Sequence, residues 1–156
     1  MLDRGAVRFD FPSHWIAEPQ PGAIMLHDRK PSDESCDLGV SVFHVPASAL
    51  GGFDAAKLLA DVTAEPDRAV ETQSEIHTID RGDTCIFWLE QTYTHKPFNR
   101  AAKFRAAIAR GPVMALVTMN YWANHAPKLE RVWDEVIRTL VLGVWVEDPR
   151  SGPSIQ

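Results

Sequence analysis

Between Val70 and Trp122 the sequence alternates in blocks divided by turn signals, and this pattern constrains the fold more than any other feature. Residues 70–79 read as one polar strand. Val70, Thr72, Ser74, Ile76 and Thr78 lie on one side, and Glu71, Gln73, Glu75 and His77 on the other. "DRGD" at Asp80–Asp83 is a hairpin turn with Gly82 where φ must be positive. The strand Thr84–His95 sets Ile86, Trp88, Glu90 and Thr92 against Cys85, Phe87, Leu89, Gln91 and Tyr93. "KPFN" turns the chain again. Arg100–Arg110 is open to two readings. Its Ala, Arg and Lys favour helix, whereas the alternation of Ala102, Phe104, Ala106 and Ile108 against Lys103 and Arg105, between Asn99 and Gly111-Pro112, favours strand. Strand is the preferred reading. "PVMALVTMNYW" is apolar on both faces and suits the centre of a sheet. Strands joined this closely pair antiparallel, so the region is a meander.

The flanks supply the covering layers. Val7–Phe11 alternates as a half-buried strand, Pro12 and Ser13 break it, and His14–Ala17 resumes it. In this corner Trp15 is expected to plug the core and His14 to face water. "EPQPG" turns the chain, and the strands from Ala23 and Leu38 follow, separated by the polar loop "RKPSDESCD". Asp54–Ala64 is the first helix, with Ala55, Leu58, Leu59 and Val62 in one stripe, Asp54 at its positive end and Pro66 as its stop. Asn124–Leu140 is the second, with Asn124 as cap, Pro127 in the first turn and Leu129, Val132, Trp133, Val136, Ile137 and Leu140 buried. Glu130, Arg131, Asp134 and Arg138 are expected on its wet face, Asp134 and Arg138 as an i,i+4 pair. "VLGVWVE" from Val141 suits a short last strand. The 156 residues divide into one α+β domain, 1–146, and a flexible tail, 147–156.

Charge and composition narrow the function classes. The net charge of −5 argues against a nucleic-acid binder and against anionic membranes. No apolar run matches a signal peptide or a membrane span, which places the expected protein in the cytoplasm. Cys36, read as part of a polar loop, and Cys85, at the start of an apolar strand, are expected to be free thiols.

Reactive constellations are missing. The six histidines show no metal-ligand spacing, so no metal is expected. There is no G-x-S-x-G elbow, no dinucleotide or phosphate loop, and no acid pair in an apolar setting. Glu71 and Glu75 read as solvated. No cofactor is expected and the chain is not read as an enzyme. Lys103 and Arg105, flanked by Arg100 and Arg110, form a basic strip that suits a solvated face better than an acidic partner. Among the five tryptophans, Trp133 reads as core, Trp88 and Trp122 as core or as a groove under a helix, and Trp145 as partly exposed.

The opening "FDFPSHW" resembles the strand, Pro, small residue, Trp entry of the Mog1/PsbP-like superfamily, and "PKLERVWDEVIRTLVL" is similar to that superfamily's last helix. The resemblance covers the whole chain in element order and rests on Pro12, Trp15 and Trp133 as fold positions. It implies an α/β/α sandwich on a central antiparallel sheet. The superfamily is mostly non-enzymatic and includes a Ran-binding transport factor, a photosystem II extrinsic subunit and bacterial chaperones for secreted effectors. The expectation is therefore a bacterial, non-catalytic interaction domain acting as adaptor or chaperone. Its partner is another protein, with a homodimer left open, and its contacts are Trp88, Tyr93, Lys103 and Arg105 on the open sheet face. The alternative is a binder of small hydrophobic ligands, which requires a deep apolar cavity rather than a solid core under Trp133.

Overall fold

The computed structural model describes residues 7–28, 36–43, 54–64 and 68–143. Its elements are β1 (Val7–Arg8), β2 (Ile16–Gln20), β3 (Ala23–His27), β4 (Cys36–Phe43), α1 (Ala55–Thr63), β5 (Val70–Gln73), β6 (His77–Asp80), β7 (Cys85–His95), β8 (Arg100–Arg110), β9 (Met114–Trp122), α2 (Ala126–Thr139) and β10 (Val141–Leu142). The main sheet runs β2-β3-β4-β9-β8-β7-β5, and β6 pairs with the other end of β7. Every pairing is antiparallel. Arg100–Arg110 is a strand, and β9 lies between β8 and β4 in the sheet interior. The α+β sandwich follows, because the two faces of this sheet are apolar and a helix covers each.

Alternation along β7, β8 and β9 divides the core in two. On one face Leu58, Leu59 and Val62 of α1 meet Phe87, Leu89, Phe104, Ala106, Ile108 and Met114. On the other, Leu129, Trp133, Val136 and Ile137 of α2 meet Leu38, Val40, Ile86, Val117 and Met119. The small Ala107, Ala109 and Ala115 lie in this second cluster and leave room for the Trp133 ring, which is 1% exposed. Asp54 caps α1 as expected, its Oδ1 accepting from Lys57 N at 3.2 Å.

Several boundaries differ from the sequence expectation. The first strand pairs only over Val7–Arg8, against β10, and Phe9 and Phe11 pack on the core without pairing. β2 runs through Pro19, which an edge strand tolerates because the missing N–H faces away from the sheet; the turn is Pro21-Gly22, with Gly22 at φ 67. Cys36 is not in a loop. It opens β4, opposite Tyr121, and is buried. The expected strand over 70–79 is two strands, because the ladder with β7 shifts register between Val70 and Thr72 and breaks at Ser74–Ile76. Asn124 does not cap α2. It sits in a 3-10 turn, Ala123–His125, and accepts from Arg100. Arg138 pairs with Glu135 at 2.8 Å, not with Asp134. Cys36 and Cys85 are not bonded to each other as a disulfide. Pro66, Trp145 and the expected tail at 147–156 lie outside the described residues.

The N-terminal corner closes one end of the core. Trp15 N donates to Pro12 O at 3.0 Å, a tight turn that carries the indole inward. Trp15 is 7% exposed, and His14 is on the surface. Replacing the indole leaves a cavity, so Trp15→Ala should lower unfolding free energy by about 3–5 kcal/mol. His14→Ala should change it by less than about 0.5 kcal/mol. Urea melts of the two variants beside the wild type measure both.

Candidate functional site

Two polar constellations interrupt the apolar faces, one on each side of the sheet. Under α2, Arg105 of β8 is 8% exposed and lies among acids. Its Nε donates to Glu90 Oε2 at 2.7 Å and its Nη2 lies 3.4 Å from Glu130 Oε1. Lys103 Nζ reaches the same two carboxylates, at 3.5 and 3.4 Å. The guanidinium also lies over Trp88, 4.9 Å from the ring centroid, and 5.9 Å from that of Trp133. His77 stacks on the outer face of Trp88 at 4.3 Å. Tyr121 Oη lies 3.1 Å from Glu90 Oε2 and 3.0 Å from Glu130 Oε1, two acceptors for one hydroxyl proton.

The electrostatics follow from this packing. Burial raises the Glu90 carboxyl, but the Arg105 hydrogen bond and charge, with Lys103, outweigh it and hold the group below its ordinary range. Burial pushes the Tyr121 phenol far up, so it stays neutral. Two cations and two anions cancel, and each is held by more than one bond. This arrangement ties α2 to the sheet. The expectation of Glu130 on the wet face was wrong because helical position alone cannot see Arg105 and Tyr121 across the interface.

The second constellation lies on the α1 face beyond the helix. Asn120 Nδ2 donates to Asp37 Oδ1 at 3.1 Å, and Tyr93 Oη donates to Asn120 Oδ1 at 3.4 Å. His27 sits opposite Asp37 in the β3–β4 ladder and bonds Glu18 at 3.3 Å. Arg68 lies over Phe104 and Tyr93, 3.9 and 5.4 Å from the centroids. Burial raises the Asp37 carboxyl, against the opposing pull of Asn120 and His27, and burial also raises the Tyr93 phenol. At the β7–β8 hairpin the same face ends in His95, Phe98, Arg100 and Trp122.

The four expected contact residues are therefore divided. Trp88, Lys103 and Arg105 come together under α2, while Tyr93 faces the other side. Lys103 and Arg105 are not the solvated face that the basic strip suggested. Arg100 and Arg110, at even positions, share the α1 face instead. Sequence reasoning missed Asp37, Asn120 and Arg68, which come from three distant segments. Among the described residues no group of His, Cys, Asp or Glu is placed to hold a metal ion, and no helix is long and apolar enough to cross a membrane.

A family model described as Alr1449 matches residues 1–146. The uncharacterised protein alr1449 of Nostoc sp. strain PCC 7120 is 35% identical over 154 residues, covering 97% of this chain and 80% of that protein. Among solved structures, cyanobacterial PsbP (CyanoP) from Synechocystis sp. PCC 6803 superposes with a TM-score of 0.61 at 15% identity, over 88% of this chain and 87% of that one. The Ran-binding protein Mog1p of Saccharomyces cerevisiae gives a TM-score of 0.56 at 12% identity, over 88% and 90%. The fold is Mog1/PsbP-like.

Arg105 holds two buried carboxylates, so Arg105→Met should destabilise by about 3 kcal/mol through the charges left unpaired. The acid limb of stability separates the two constellations. Glu90 titrates lower in the folded chain, so its contribution is complete above the ordinary carboxylate range and disappears as pH falls through its folded value. Asp37 titrates higher when folded, so its contribution is complete at low pH and is lost as pH rises. Denaturant melts between about pH 3 and 7 should show a flatter acid limb for Glu90→Gln and a steeper one for Asp37→Asn.

Proposed function

We propose that this chain, which belongs to the Alr1449 family, is a non-catalytic, cytoplasmic protein-interaction domain that works as an adaptor or chaperone. The observation that carries this reading is the α1 face. The helix packs over β7 and β8, and elsewhere on that face Ile16, Phe43 and Phe98 are 42%, 47% and 70% exposed. Large apolar side chains standing in water on one face suit a protein contact. Tyr93 belongs to this surface. Trp88, Lys103 and Arg105 act behind it by holding α2 in place. Mog1p, which shares the fold, is a Ran-binding protein, and this supports the use of the architecture as a platform.

The reading as a small hydrophobic-ligand binder has less support. Trp133 is 1% exposed, meets the Trp88 ring and belongs to one buried cluster with Ile86, Ala107 and Val117, which suits a filled core better than a cup.

The test is affinity capture with the tagged full-length chain in lysate of the source organism, followed by size-exclusion chromatography. The expected result is a defined protein that co-elutes with the wild type and is lost with Phe43→Asp or Phe98→Asp, both variants melting as the wild type does. A chain that elutes alone, with nothing retained, overturns the proposal.

A further inference from the structure

The β7–β8 hairpin end concentrates exposed aromatic surface and free cations on a protein whose net charge is −5. Asn99 takes φ 45 in this turn and Phe98 beside it is 70% exposed. The Phe98 ring stacks on His95 at 5.3 Å and meets Trp122 edge-on at 6.0 Å, and His95 meets Trp122 edge-on at 5.3 Å. The three rings brace one another, so covering them costs little further side-chain entropy. Arg100 lies over the Trp122 indole, 4.4 Å from its centroid, and its Nη2 donates to Asn124 Oδ1 at 2.7 Å. Trp and Arg together on a braced aromatic base are the residue types that dominate contact energy.

The charges around this group are one-sided. Lys103, Arg105 and Arg138 are all ion-paired. Among the described residues Lys96 and Arg100, beside the rings, have no ion pair, as is also true of Lys57 and Lys128 elsewhere, whereas Arg68 lies close enough to Asp37 to favour its carboxylate. Lys96 is in the turn, Arg100 opens β8, and Arg68 lies over Tyr93, the neighbour of Trp122 across Ala102. The acid of the adjacent edge strand, Glu71, is engaged by Thr94, which points to the opposite face. The acid on this face, Asp37, is bonded to Asn120.

We propose that this hairpin end docks an acidic segment of a partner protein that carries an apolar anchor. The anchor covers Phe98 and Trp122, and carboxylates beside it pair with Lys96 and Arg100, each cation donating to the carboxylate oxygens. The overall negative charge repels a longer polyanion such as a nucleic acid. The inference rests on the protein-interaction reading above and adds the chemistry and place of the contact.

Photo-crosslinking in lysate of the source organism tests it, with Phe98→p-benzoylphenylalanine and, as a control on the far edge of the same face, Ile16→p-benzoylphenylalanine. From position 98 we expect crosslinked peptides of another protein that are net acidic and contain an aliphatic or aromatic residue. Adding Arg100→Glu should cut their yield by about tenfold, with Arg100→Gln intermediate and thermal melts unchanged. A partner captured from position 16 alone overturns the inference and leaves the interaction reading standing. So do neutral or basic peptides at position 98, a crosslink to a second copy of this chain, or a yield indifferent to Arg100→Glu. No protein crosslinked from either position overturns both.

Discussion

Arg105 is the interaction on which the placement of α2 depends. A guanidinium beneath a helix is tolerated only if its charge and its donors are answered. Here Glu90 answers from the sheet and Glu130 from the helix, with Trp88 and Trp133 supplying aromatic faces. Such a cluster adds little net stability, because taking four charges from water costs about as much as their attraction returns. Its contribution is positional. A helix shifted by one residue would move Glu130 off Arg105 and Lys103 and leave buried charge unpaired.

The other end of α2 is held by different chemistry. Arg81, from the hairpin between β6 and β7, donates to Leu140 O at 2.9 Å and also to Ile137 O. A cation there meets the negative end of the helix dipole and satisfies carbonyls that the last turn leaves open. Thr139 Oγ1 accepts from Asp10 N at 2.8 Å, and β10 then pairs with β1. The first and last described strands are thus tied through the helix. With α2 committed to closing one face, the α1 face is the one with surface to spare.

Much of the fold was legible because it follows from short-range rules. Gly82 at a hairpin, proline at the start of α2 and the alternation of β7 are local signals. The strand at Arg100–Arg110 needed tertiary context, since its Ala-rich composition suits a helix. What decided it is the ladder with β7 and β9 on both sides. Cys36 was misread because its neighbours are polar, while its partner Tyr121 lies far along the chain. The candidate site was less legible. Tyr93, Asn120 and Asp37 bond across β7, β9 and β4, and nothing in the separate segments announces that they meet.

By itself, the sequence determined an antiparallel meander with two amphipathic helices, the inward Trp15 and Trp133, and the absence of familiar catalytic motifs. These depend on periodicity and turn chemistry, which act over a few residues. Only the tertiary structure decided which side chains share a face. Odd and even positions of adjacent strands are matched by register, and register is set between segments. That is why Trp88, Lys103 and Arg105 lie under α2, whereas Tyr93, Arg100 and Trp122 stand together on the other side.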